Sequence, residues 1–200
     1  MAKAEVARRG LANVVIVEGD ALSTNVPTAS FDFVHERLVL VNMPPENQKA
    51  FVAQMVSLAR PGGIVALENV DRASFVCHPE HPSLEILTRA FREAVRPTNG
   101  EGTAGRTLPW LLRSAGVREI RTKVHVRVLE FGERRRTFFL DHLNLLRPKI
   151  LAQGLLTEVH FDSHRSALAE HFATPDTLLI DRLFVQSWGR KPIVQMTVAG

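Results

Sequence analysis

Tyrosine is absent from this chain and cysteine occurs once, as Cys77. A single thiol cannot form an internal disulfide, and its scarcity fits a reducing compartment, so a cytoplasmic setting is expected. With no tyrosine and only 6% aromatic residues, few flat side chains are available for bases to stack on, which argues against a nucleic-acid partner. No apolar run approaches the ~18 residues of a spanning helix, and MAKAEVARRG has no signal-peptide core. Neither export nor membrane insertion is expected. Charge is nearly balanced, 25 basic against 21 acidic residues for a net +4. The one basic cluster, Arg134, Arg135 and Arg136, reads as a solvated helix face rather than a phosphate-tracking footprint. A nucleophile constellation is also missing: there is no G-x-S-x-G, and Cys77 has no assignable base. Cys77, His78 and His81 offer soft ligands at close spacing, but the intervening prolines match no zinc-binding pattern, so no metal is expected.

What the chain does have is apolar content of 45% over 200 residues, enough for one core with an attached cap. Residues 2 to 9 read as the last turns of a helix closed by Gly10. VVIVE at 14 to 18 is a continuous β-branched run, as expected of a strand covered on both faces. FDFVHE at 31 to 36 is a second strand. From Pro45 to Leu58, apolar residues at helical spacing run into Pro61-Gly62-Gly63, and a third strand, IVALENV, follows at 64 to 70. Strands alternating with helices through short loops predict a parallel α/β sheet whose ligand site lies at the carboxyl ends of its strands. Beyond Asp71 come a proline- and histidine-rich loop, a helix over 82 to 96, a glycine-rich connection, a helix over 106 to 115, a long strand from 117, helices over 133 to 152 and 155 to 172, and a final strand over 178 to 188.

GEGTAGRT at 100 to 107 satisfies G-x-G-x-x-G and nearly the phosphate-loop pattern. It follows a helix rather than a strand, so it reads as a loop. Asp20 is the stronger candidate, because a carboxylate after glycine at a strand end lies at the ligand crevice and can accept a hydrogen bond from an amino group. Its plainer reading is a turn cap for the ALST segment that follows.

Residues 10 to 71, with Gly19-Asp20-Ala21 after one apolar run, Phe-Asp opening the next and a helix closed by Arg-Pro-Gly-Gly, resemble class I S-adenosylmethionine-dependent methyltransferases. The resemblance extends less specifically through GRTLPWLLRSAGVREIRTKVHV. It implies a Rossmann-like sheet with helices on both faces and a helical cap, S-adenosylmethionine as cofactor and a small-molecule acceptor. By that resemblance Gly19, Asp20 and Ala21 border the adenine, while His35, Glu36 and Arg37 line the cofactor pocket. Strand alternation prevents all three of the latter from facing it, and Glu36-Arg37 also reads as an ion pair. The loop after the third strand supplies acceptor-wall candidates: Phe75, Cys77, His78 and His81. His142 is carried as a further wall candidate, although like His125 it has no partner readable from sequence. No catalytic residue is assigned, because methyl transfer needs alignment first and a base only when the acceptor must lose a proton.

Against the family's sheet order 3-2-1-4-5-7-6, the first two strands and their glycine-rich loop have no counterpart here. The expectation is an N-terminally truncated domain: 1–71 as a partial cofactor half, 72–105 and 133–173 as cap insertions, 106–132 and 174–200 as the rest of the sheet. In such a domain the strand at 14–18 pairs directly with 31–36 or packs poorly, activity is weak or absent, and a homodimer or a completing partner chain would cover the unpaired edges. Two alternatives stand beside this reading, a non-catalytic interaction module and an RNA methyltransferase.

Overall fold

The computed structural model describes residues 2–100 and 102–193. Glu101 of the glycine-rich loop and residues 194–200 of the last segment lie outside the described residues. A short helix α1 (Ala2–Arg8) precedes β1 (Phe31–Arg37), α2 (Pro45–Leu58) and β2 (Ala59–Asp71). There follow β3 (Val76–His78), α3 (Pro82–Asn99), α4 (Ala104–Ser114), β4 (Arg118–His125), α5 (Phe138–Ala152), α6 (Glu158–Phe172), β5 (Leu178–Ile180) and β6 (Leu183–Arg190).

The main sheet runs β1-β2-β6-β4, with β1 parallel to β2 and β6 antiparallel to both β2 and β4. That is the 4-5-7-6 portion of the order implied by the resemblance. Pro45 opens α2 at its first position, where a missing N–H costs nothing. Its Phe51, Val52 and Met55 are buried against Val65 and Leu67 of β2. Leu108, Leu111 and Leu112 of α4 complete the same core, so α2 and α4 share one face of the sheet.

A second core joins α3, α5 and α6 to the two-stranded β3-β5 sheet through Leu87, Leu143, Phe161, Leu168 and Leu179. Arg136 organises this layer. It is buried, and its guanidinium donates to the carbonyls of Phe172, Leu129, Thr174 and Thr177. The expected solvated basic face is corrected here: Arg134 and Arg135 are exposed, but Arg136 closes four backbone acceptors that would otherwise be orphaned.

Residues 14–18 form no strand and pair with none, which corrects that assignment. Val15 is 82% exposed and Val17 60%. A β-branched run is held extended by neighbours in a ladder, and without them its propensity builds nothing. The chain rejoins the body at Leu22, which packs on the first core, and at Ala29 and Ser30, whose amides donate to Ser57 and Leu58 carbonyls at 2.8 and 2.9 Å. The last predicted strand is two strands, divided at Asp181-Arg182: β5 pairs with β3 and β6 joins the main sheet.

Candidate functional site

The carboxyl ends of β1 and β2 are held by a network of buried polar groups. Glu36, 5% exposed, points to the helix-covered side of the sheet and accepts from the amides of Val39 at 3.0 Å and Glu68 at 3.1 Å and from the Asn69 side chain. Asn69 in turn accepts from the Val41 amide at 3.0 Å. Together they shape the turn after β1, where Leu38 takes a left-handed backbone with φ 60°. Burial, opposed by these hydrogen bonds, pushes the Glu36 carboxyl above the usual carboxylate range. With both oxygens engaged inside the chain, Glu36 holds the loop after β1 in place.

His35 and Arg37 project to the opposite face, as strand alternation requires. Both meet Glu68, at 3.4 and 3.1 Å, and Gln186 donates to the same carboxylate at 3.0 Å. The ion pair Glu36-Arg37 expected from adjacency is replaced by Arg37–Glu68. The guanidinium of Arg37 also lies over the Phe184 ring.

Gly19, Asp20 and Ala21 are exposed. Asp20 accepts from the Leu22 amide at 2.8 Å through one oxygen, which is the turn-cap geometry. Its other carboxylate oxygen carries no hydrogen bond to the described residues, so it keeps acceptor capacity.

Asp71 closes β2, 2% exposed, bonded to the Ala73 amide at 3.0 Å and to Arg106 Nε at 2.6 Å. Arg106, the residue standing where a phosphate loop has lysine, is therefore tied to the sheet. Gly105 beside it lets α4 approach the backbone of β2: a Cβ there would meet Asn69 O and a Val185 methyl, each at 3.1 Å. The glycine-rich match serves helix packing.

Between the end of β2 and the cap lies a cleft lined by Arg72, Phe75, Thr88 and Phe91, with Phe139, His142 and Arg182 across from them. Phe75 and His142, both named from sequence, are brought together here. Cys77, His78 and His81 are not. Cys77 is buried in the second core, with its thiol pushed up by burial. His78 is exposed. His81 caps α3, accepting from the Ser83 amide at 3.2 Å, and burial together with His171 and His164 pushes its pKa down. Among the described residues no three His, Cys, Asp or Glu side chains converge as metal ligands. No helix among them is long and apolar enough to cross a membrane. Sequence reading missed Arg72, Arg182, Phe91 and Phe139; only Arg72 carried a signal, standing directly after a strand end.

With this geometry in place, comparison with known proteins is decisive for the fold. Residues 1–63 match the model of a methyltransferase domain family. A methyltransferase candidate from Bacillus halodurans C-125 superposes with a TM-score of 0.55 at 18% identity, covering 96% of this chain and 77% of that one. The chain has the class I methyltransferase fold. The YcgJ protein of Bacillus subtilis gives a TM-score of 0.52 at 13% identity, with 94% and 76% covered. A Haemonchus contortus phosphoethanolamine N-methyltransferase 2, solved with phosphomonomethylethanolamine and S-adenosylhomocysteine, gives 0.49 at 15% identity, and this methyltransferase-fold chain spans 40% of its length.

Proposed function

We propose that this protein binds S-adenosylmethionine and transfers its methyl group to a small-molecule acceptor. The observation that carries the reading is the cleft at the carboxyl end of β2, walled by Phe75, Phe91 and Phe139 and roofed by cap helices, in a methyltransferase fold. The residues fit the cofactor in part. Asp20 is exposed and keeps acceptor capacity for an adenine amine, Gly19 and Ala21 leave room beside it, and His35 and Arg37 stand at the end of β1. When bound, the cofactor supplies a methyl group already activated on a sulfonium. The protein's own contribution is orientation: Glu36 and Asn69 fix the turn after β1, and the Phe75, Phe91 and Phe139 walls exclude water around the acceptor.

Calorimetric titration with S-adenosylhomocysteine tests this. Saturable binding that weakens about tenfold in Asp20→Ala, the loss of one or two hydrogen bonds to a charged acceptor, is the expected result. Absence of saturable binding overturns it and favours the second reading, a non-catalytic binding module, which the exposure of residues 11–21 supports.

A further inference from the structure

We propose that the cleft between β2 and the cap recognises an anion, with Arg72 and Arg182 holding the carboxylate of a small acid while the phenylalanine walls receive its apolar body. That the acid is the methyl acceptor rests on the function proposed above; the recognition itself does not.

Arg72 is the decisive residue. Its Nη2 donates to Asn42 Oδ1 at 2.7 Å, and its Nη1 is buried with no hydrogen-bond partner. Buried donors are almost always paired, so an orphaned guanidinium nitrogen at the wall of a cleft calls for an acceptor that enters it. Arg182 lines the same cleft. Its side chain meets Asp181 at 3.3 Å through Nε, and its guanidinium lies over the Phe138 ring. None of the lining residues is acidic. Asp71, the nearest carboxylate in sequence to Arg72, is committed to Arg106.

Two guanidiniums facing one space repel, and an oxyanion between them removes that repulsion. Burial, with the Arg182 charge adding to it, pushes the Arg72 pKa down. The cleft with its open mouth spans about 330 Å³. A planar carboxylate matches the guanidinium fork with two oxygens, and rings stacked as Phe75 and Phe139 are, 5.6 Å apart, offer faces to an aromatic or branched body.

The test uses the full chain and three probes followed by ligand-observed NMR titration: benzoate, its neutral isostere benzamide, and phenyl phosphate. Benzoate is expected to bind saturably, at least tenfold tighter than benzamide and tighter than phenyl phosphate. Arg72→Gln is expected to weaken benzoate at least tenfold and Arg182→Gln at least threefold, with folding of each variant checked by circular dichroism. Equal binding of acid and amide by the unaltered chain overturns the proposal whatever the variants do. Failure of benzoate to saturate overturns it too, and preference for phenyl phosphate overturns the carboxylate assignment. S-adenosylhomocysteine titrated in parallel separates the two readings: cofactor binding without acid discrimination sinks this inference alone, and acid discrimination without cofactor binding sinks the proposed function alone.

Discussion

Single side chains decide more of this structure than its composition suggests, and Arg136 is the clearest case. Its guanidinium serves four carbonyls, from the segment before the cap helices and from the turn after α6. Truncating it leaves buried acceptors without donors, each a desolvation loss, so Arg136→Ala is expected to cost about 3 kcal/mol. Urea unfolding measures this, with Arg135→Ala, on the exposed neighbour, expected within about 0.5 kcal/mol of the parent. Glu36 yields a prediction of a different kind. Burial raises its folded pKa above the unfolded value, so the folded state holds a proton that the unfolded state gives up. The stability this contributes is complete below the unfolded pKa and is lost as pH rises through the folded one. Glu36→Gln does not titrate. The melting temperature of the parent should therefore fall relative to Glu36→Gln as pH rises above the ordinary glutamate pKa of about 4.3, and parallel curves would show that Glu36 is not raised.

At the scale of elements, the strongest constraint is backbone proximity at the far edge of the sheet. Gly189 of β6 faces the irregular step in β4 between Arg118 and Arg121, and a Cβ on it would lie 2.5 Å from Arg118 O and 2.6 Å from a Val117 methyl. A backbone carbonyl cannot swing aside as a side chain does, so Gly189→Ala must part β4 from β6, at an expected cost of about 1–3 kcal/mol in thermal or urea unfolding. Elements with local signals were legible. The helix over 45–58 carried its own Pro start, apolar spacing and Pro-Gly-Gly stop, and it forms with those bounds. The strand at 31–36 was legible for the same reason. The run at 14–18 was not, because strand formation depends on a neighbour that no local pattern reports. The split of the last strand depends on β3, about a hundred residues earlier in the chain. In the site the division is similar. Opposite orientation of His35 and Glu36 followed from strand period alone, and Phe75 and His142 were named, whereas the Glu36–Asn69 bond and the pairing of Arg72 with Arg182 across the cleft join residues 33 and 110 positions apart.

For the molecule as a whole, the main sheet has two edges among the described residues, β1 and β4, and they differ in what borders them. Among the described residues β1 pairs only with β2, so its outer edge offers free backbone donors and acceptors. The face opposite α2 and α4 carries Phe33, 56% exposed, beside Ile64, with Trp188 further across the sheet. Arg37, Arg121 and Arg190 lie on that same face, so it combines apolar and cationic groups. An unpaired edge bordered by exposed phenylalanine recruits other strands, and natural edges are commonly guarded by lysine. Concentration-dependent association is therefore expected, and Phe33→Lys should suppress it. Phe33 buries little, so the substitution should leave unfolding free energy within about 0.5 kcal/mol of the parent. Light scattering across a concentration series, with unfolding measured alongside, reads both quantities. Scattering that is unchanged in Phe33→Lys would show that β1 is not the sticky edge and would direct attention to the exposed valines at 15 and 17, which share the apolar character of the edge but belong to no strand.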